Sequence, residues 1–450
     1  MSQELSTIDA QQSNAPSDLC RVCGRPSASS NATGDLPQEL RSIVAANATS
    51  LDQVAKVCLP CVEMFRRGQA QLEAHASIFQ ETSYVLPTPL RMQADERFTG
   101  RNVTMAFLDS GFYAHPDLTK PANRIVAYHS IFADSDDRTS LETNDVASWH
   151  GMMTSVVAAG NGELSEGFYR GIAAEANLVL VKIGRTGRIS EAQIQEGLEW
   201  VLANAVKYEI KIVNISAGGD YEQSYLSNEL SQTVERCTRA GLTVVCAVGN
   251  AGYVPGHPVL PPASAPSCIA VGGLDDQNSL DRARRGMYRS SYGPTIDGLQ
   301  KPEVIAPGIW VAAPILPRTP TAEEAELYSR LDSAADDELP ALLEEYRGID
   351  TDLDQASDLR ISILRQLITI KLREGNVINE HYKYVDGTSF AAPIVSSIVA
   401  CMLEANPGLT PQQIKKILID TAERVHDVEV DRQGSGVVNA RRATDVARRM

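Results

Sequence analysis

Three short stretches of this chain hold an acid, a base and a nucleophile, each where local structure would keep it still. In Val103-Thr-Met-Ala-Phe-Leu-Asp109-Ser-Gly111 an apolar run ends on a carboxylate followed by small residues, so Asp109 closes a predicted strand. In Trp149-His150-Gly151-Met152-Met153-Thr154-Ser155-Val156-Val157-Ala158-Ala159-Gly160 a His-Gly pair opens a predicted helix of small and apolar residues. In Asp386-Gly387-Thr388-Ser389-Phe390-Ala391-Ala392-Pro393 a serine stands at the start of the apolar helix expected over Ile394–Ala405. Free backbone N–H groups and the positive end of the helix dipole gather there, and both stabilise negative charge. A serine hydroxyl is a poor nucleophile at neutral pH. It needs a histidine to take its proton and a carboxylate to orient that histidine, which is acyl-transfer chemistry.

Each stretch also has a plain structural reading: an aspartate at a turn, a histidine at a helix start, a serine N-cap. Their order and settings decide against that reading. Asp-Ser-Gly, His-Gly and Gly-Thr-Ser-Phe-Ala-Ala-Pro, in this order, resemble the three signatures of the subtilase family of serine peptidases. Val244-Val-Cys-Ala-Val-Gly249-Asn250 resembles the family segment that donates to the oxyanion. Ile212-Val-Asn-Ile-Ser216-Ala-Gly218-Gly219 resembles its substrate-binding strand, and Lys301-Pro-Glu-Val-Ile-Ala-Pro307-Gly308 the strand and turn before the serine. The resemblance covers residues 100–315 and 381–445.

The resemblance implies a serine endopeptidase acting on protein or peptide substrates. Ser389 would be the nucleophile, His150 the general base and then acid, and Asp109 the group fixing the His150 tautomer. Asn250 and the Ser389 N–H would hold the oxyanion, with Ser216, Ala217, Gly218, Ala247, Val248 and Gly249 flanking the substrate. Val248 stands where the family commonly has alanine, and Met152 where it commonly has threonine. An esterase would show Gly-x-Ser-x-Gly with the serine first, and here the serine comes last. A subtilase fold kept only as a scaffold is opposed by the intact Asp109, His150, Asn250 and Ser389.

Cys20-Arg-Val-Cys23-Gly and Cys58-Leu-Pro-Cys61 form two CxxC pairs separated by 34 residues. Four thiolates suit tetrahedral zinc, so residues 20–80 read as a zinc-binding module with a helix after Cys61, and Cys20, Cys23, Cys58 and Cys61 as ligands to structural Zn²⁺. Redox pairs or free thiols are the alternatives. Many relatives in the resembled family bind calcium, and Asp134-Ser-Asp-Asp137 is an acidic loop, but no Ca²⁺ site can be mapped.

The elements that must carry these residues follow from hydrophobic texture. Apolar, β-branched runs at 103–108, 178–183, 210–215, 242–248 and 269–271 alternate with helix-like stretches such as 190–206 and 222–240. This predicts an α/β fold, a mostly parallel sheet with helices on both faces and functional residues at the strands' carboxyl ends. Residues 1–19 are polar and read as disordered, 81–99 as a linker in which Pro87 and Pro89 break any continuing helix, and 100–450 as the subtilisin-like domain. Within it, residues 318–380 hold 15 acidic and 7 basic residues with apolar side chains at helical spacing. They read as an acidic insertion of two or three helices that leaves and re-enters near the active face, either a lid or exosite or a solvated decoration. A regulatory protein partner is expected through this insertion or the zinc module.

A formal net charge of −16 argues against nucleic acid and anionic membranes as partners, because both are themselves negative. The polar N-terminus lacks a secretory pattern, and no sequence run reaches the roughly 20 apolar residues of a membrane span, so a cytoplasmic location is expected.

Overall fold

The computed structural model describes residues 85–132, 138–185, 189–254 and 256–450, and of the first 84 residues only the backbone pairing of Ser30–Asn31 with Val57–Cys58. The chain divides into two units, Met1–Gln80 and Glu81–Met450. The second unit is built on seven parallel strands: β1 (Thr104–Asp109), β2 (Ile125–Ser130), β3 (Asn177–Lys182), β4 (Ile210–Ile215), β5 (Thr243–Ala247), β6 (Ile269–Asp275) and β7 (Val304–Pro307). Their order across the sheet is β7-β6-β5-β4-β1-β3-β2, and the two-residue strand Gly286–Met287 adds antiparallel to β6.

Helices cover both faces, which is why the central strands read as unbroken apolar runs. Successive side chains of β1 point to opposite faces: Met105 and Phe107 enter one core, Ala106 and Leu108 the other. The first core is closed by α1 (Trp149–Ala159) and by the helix that begins at Thr388; the second by α2 (Glu191–Asn204) and α3 (Glu229–Arg239). α2 starts on a capping box between Ser190 and Gln193. α3 starts at Glu229, capped by Asn228, so 222–228, read from periodicity as helix, is loop. β2 was not legible as a strand; it lies at the sheet edge, where fewer side chains need be apolar.

Residues 85–92, read from the sequence as linker, are buried against the body. Arg91 is the reason: its guanidinium meets Asp276 at 2.8 Å and donates to the carbonyls of Ile309 and Trp310.

After β7 the chain forms β8 (Val311–Pro314), then α4 (Pro320–Ser333), α5 (Leu339–Glu345), α6 (Thr351–Ala356) and α7 (Ile361–Glu374), and returns as β9 (Tyr382–Val385). The acidic stretch thus has four helices, not two or three. Asp350 caps α6 and is too close in sequence to α5 for periodicity to separate the two. β8 and β9 pair antiparallel, Val311 opposite Val385 and Pro314 opposite Tyr382, so the helices sit at the end of a ladder. They enclose their own core, with Leu327, Leu331, Leu343, Leu364 and Ile368 at its centre. β9 leads directly into α8 (Thr388–Ala405), an 18-residue helix long and apolar enough to cross a membrane by composition, yet buried inside the protein. α9 (Pro411–Thr421) and α10 (Ala440–Arg449) complete the fold.

Candidate active site

Asp109 is the last residue of β1 and is 2% exposed. A carboxylate there must be fully hydrogen-bonded to remain charged. Ser110 N donates to its Oδ1 at 2.7 Å, the Thr154 hydroxyl to its Oδ2 at 3.3 Å, and His150 Nδ1 lies 2.9 Å from each oxygen. Asp109 therefore cannot turn away from the imidazole.

His150 is the second residue of α1. The turn before it, Val146–Ser148, is capped by Asp145, whose carboxylate accepts from Ala147 N at 3.0 Å. Gly151 lets this helix approach the end of β1: a Cβ there would overlap the Gly111 carbonyl oxygen and come within 2.9 Å of Asp109 Cβ. Burial disfavours the His150 cation, but the Asp109 charge and hydrogen bond outweigh it and hold the pKa above its ordinary value. The imidazole lies edge-on to Trp149 and 5.8 Å from the Phe390 ring, which follows the serine.

Ser389 is the second residue of α8, among that helix's unpaired N–H groups. Its carbonyl would normally accept from the N–H of residue 393, which is proline and has none. The Ser216 hydroxyl takes that place, donating to Ser389 O at 2.9 Å. Asn214 in turn donates to Ser216 Oγ at 3.1 Å and accepts from Ser396 Oγ at 3.0 Å, so a buried polar chain pins α8 to β4. The Ser389 hydroxyl donates to Ser216 O at 3.3 Å, a long bond that leaves it available to a stronger base.

Asn250 is exposed, and its carboxamide is set by its oxygen, which accepts from Thr388 N and Thr388 Oγ1 at 2.9 Å each. Its Nδ2 then faces the start of α8. Gly387 has φ +135°, and a Cβ built on it would stand 3.6 Å from Asn250 Nδ2 and 3.7 Å from Ser389 N. Two N–H donors thus border one small space that glycine leaves open beside Ser389. Such a space accommodates an oxygen bearing negative charge.

Residues 100–437 match the subtilase family. The chain belongs to the subtilase family of subtilisin-like serine proteases. It is 31% identical over 356 residues to serine protease AprX of Bacillus subtilis, covering 77% of this chain and 66% of AprX. With subtilisin BL of Lederbergia lenta it shares 26% over 348 residues, 77% of this chain and 92% of that protein. Its fold resembles that of fervidolysin from Fervidobacterium pennivorans, a keratinolytic enzyme related to subtilisin, with TM-score 0.53 and 21% identity over 80% of this chain and 45% of that one. The chain spans about two thirds of AprX and under half of fervidolysin.

In this subtilase the structure gathers Asp109, His150, Ser389 and Asn250 at the carboxyl ends of β1, β4 and β5 and the N-termini of α1 and α8. Ser216, Ala217 and Gly218 follow β4 while Ala247, Val248 and Gly249 end and follow β5, side by side because Ile215 pairs with Cys246. Ser216 is buried with its hydroxyl committed to Ser389, Gly218 is exposed, and Val248 packs into the core rather than standing at a surface. Met152 is buried in the other core. The positioning roles of Thr154, Thr388, Asn214 and Ser396 were not read from the sequence. A polar Asn214 inside an apolar strand was the available signal, since buried amides need partners.

Cys20, Cys23 and Cys61 lie outside the described residues, as does the acidic loop 134–137; of Cys58 only the backbone pairing with Ser30 is described.

Proposed function

We propose that this subtilase is a serine endopeptidase working through an acyl-enzyme. The observation carrying the reading is the space at Gly387, bordered by Asn250 Nδ2 and Ser389 N next to a serine hydroxyl and a carboxylate-held imidazole. Ser389 Oγ leaves its long bond to Ser216 O, gives its proton to His150 Nε2 and bonds to the scissile carbonyl carbon. The carbonyl oxygen takes the negative charge into that space, while Asp109 stabilises the imidazolium. His150 then protonates the leaving amine, and water repeats the sequence to free Ser389. The substrate backbone lies as an added strand along 216–218 and 247–249. In a subtilisin, losing the oxyanion asparagine costs about 10²–10³ in kcat, and that magnitude is carried over to Asn250. The test is covalent labelling by a fluorophosphonate together with hydrolysis of a peptide anilide, both expected from the full chain and lost in Ser389→Ala. Labelling that persists in Ser389→Ala, or no labelling of the folded chain, would overturn the assignment.

The finer reading is an intracellular enzyme acting on a limited set of protein substrates, governed by a partner or by residues 318–380. Four free buried cysteines, Cys237, Cys246, Cys268 and Cys401, support a reducing compartment. Support for control by the helical segment comes from its attachment: Arg318 donates to Glu142 O at 2.8 Å and accepts from Asn144 at 2.6 Å, on the loop leading to His150. We also propose structural zinc on Cys20, Cys23, Cys58 and Cys61, supported by the donor set; bound metal would clip the N-terminal unit. Elemental analysis should find one zinc per chain, lost in a Cys20→Ser, Cys58→Ser variant.

A further inference from the structure

Asn250 is held at its carboxamide by Thr388, but an exposed residue in a loop needs a second grip on its backbone. Ser291, fully buried, supplies it on both sides. Its N–H donates to the carbonyl of Gly249 at 2.9 Å, and its hydroxyl oxygen accepts from the N–H of Ala251 at 3.2 Å. On its other side the hydroxyl lies 3.3 Å from His257 Nδ1, within hydrogen-bonding reach, so the imidazole limits how the rotor can turn. Gly249 has φ +103°, and a Cβ there would stand 2.8 Å from Ser291 Oγ, so the approach is too close for any other residue. We propose that Ser291 is a positioning residue for Asn250, with His257 as its outer support. The proposal rests on Asn250 being the oxyanion donor. Without the Ser291 hydroxyl the Ala251 N–H loses its partner, and the backbone after Asn250 loosens while Gly249 stays held by Ser291 N and Thr388 Oγ1. A donor to a developing charge acts within 2.7–3.1 Å, so such loosening lowers transition-state binding more than substrate binding.

The test is a double-mutant cycle in the full chain on a peptide anilide, with active sites counted by fluorophosphonate titration. Asn250→Ala should lower kcat by about 10²–10³, and Ser291→Ala by about tenfold with KM changed less than about twofold. In the Asn250→Ala background, Ser291→Ala should then cost less than about twofold, because its action passes through the missing carboxamide. His257→Ala should give a smaller loss, about threefold, that vanishes in the same background; it decides the matter if Ser291→Ala yields no titratable sites. Losses that multiply in the double variants, a loss carried by KM, or no loss at all would overturn the role of Ser291. Unchanged kcat in Asn250→Ala would instead overturn the oxyanion assignment beneath it.

Discussion

The sheet's carboxyl end and the four-helix segment each enclose well-packed apolar residues, but they constrain sequence in different ways. At the sheet end, the Gly111 carbonyl presses on Gly151 and the Ser291 hydroxyl on Gly249, which has φ +103°, so neither tolerates a Cβ, and buried hydroxyls and amides from Asn214 to Ser396 each answer one another. In the segment, Leu331, Leu343 and Leu364 meet as side chains of suitable size. Its main polar node is Asp350, which accepts from the Tyr328 hydroxyl at 2.6 Å and meets Lys371 at 2.9 Å. The first region specifies residue identity; the second specifies hydrophobic volume and period. Substitutions should therefore cost the first region activity and the second region stability.

The largest effect should come from Asp109→Asn. It keeps the shape but removes the charge that orients His150, and kcat should fall by about 10⁴. The same variant tests the pH dependence. Asp109 raises the His150 pKa, so the imidazolium persists further up the pH scale and the base becomes available only at higher pH. The acidic limb of kcat/KM should therefore lie above pH 6.5 in the wild type and move lower in Asp109→Asn, where only burial remains.

Gly387→Ala comes next. Its methyl would enter the space between Asn250 Nδ2 and Ser389 N at a φ that L-residues avoid, and about 10²–10³ of kcat should disappear with little change in KM. A wild-type rate in this variant would break the comparison at its strongest point.

Leu364→Ala in the segment should instead cost about 2–5 kcal/mol of local stability, measurable by hydrogen exchange in α7, while peptide hydrolysis per titrated site stays within about twofold. Removing the segment altogether is the most informative about its role. Replacing residues 316–380 with an Asn-Gly turn preserves the ladder, because Ile315 N donates to His381 O at its end. Short-peptide kcat/KM should change by less than about tenfold, whereas cleavage of folded proteins should change in site preference. Identical cleavage maps on a proteomic N-terminus survey would leave the segment without a role in selection.

What could be read in advance follows the same division. The strand ending at Asp109 and the helix starting at Gly-Thr-Ser389 were legible because three motifs occur in one order, each where an apolar run meets small residues. The segment's helical nature was legible from the spacing of Leu339, Leu342, Leu343, Leu359 and Ile363, but its helix count was not, since short connections such as 346–350 keep the periodicity running. β2 escaped notice because an edge strand with His129 and Ser130 at its end carries a weak apolar signal. The bond between Ser216 and the Ser389 carbonyl was hidden for a different reason. It depends on Pro393 withholding an N–H, and a missing donor leaves no hydrophobic trace.

The ladder between β8 and β9 has a consequence for the order of assembly. Its two strands are separated by 67 residues, and β9 runs straight into the helix that bears Ser389. Joining the ends of a flexible loop of that length costs about 3 kcal/mol more than closing a two-residue turn. A segment that has already condensed around Leu331 and Leu364 brings those ends together before they pair. During synthesis the helices of the segment are complete before Ser389 emerges, whereas the first core, which α8 closes, can form only after it. Closure of the main core and pairing of the ladder therefore both wait on the same stretch of chain, the one that runs from β9 into α8.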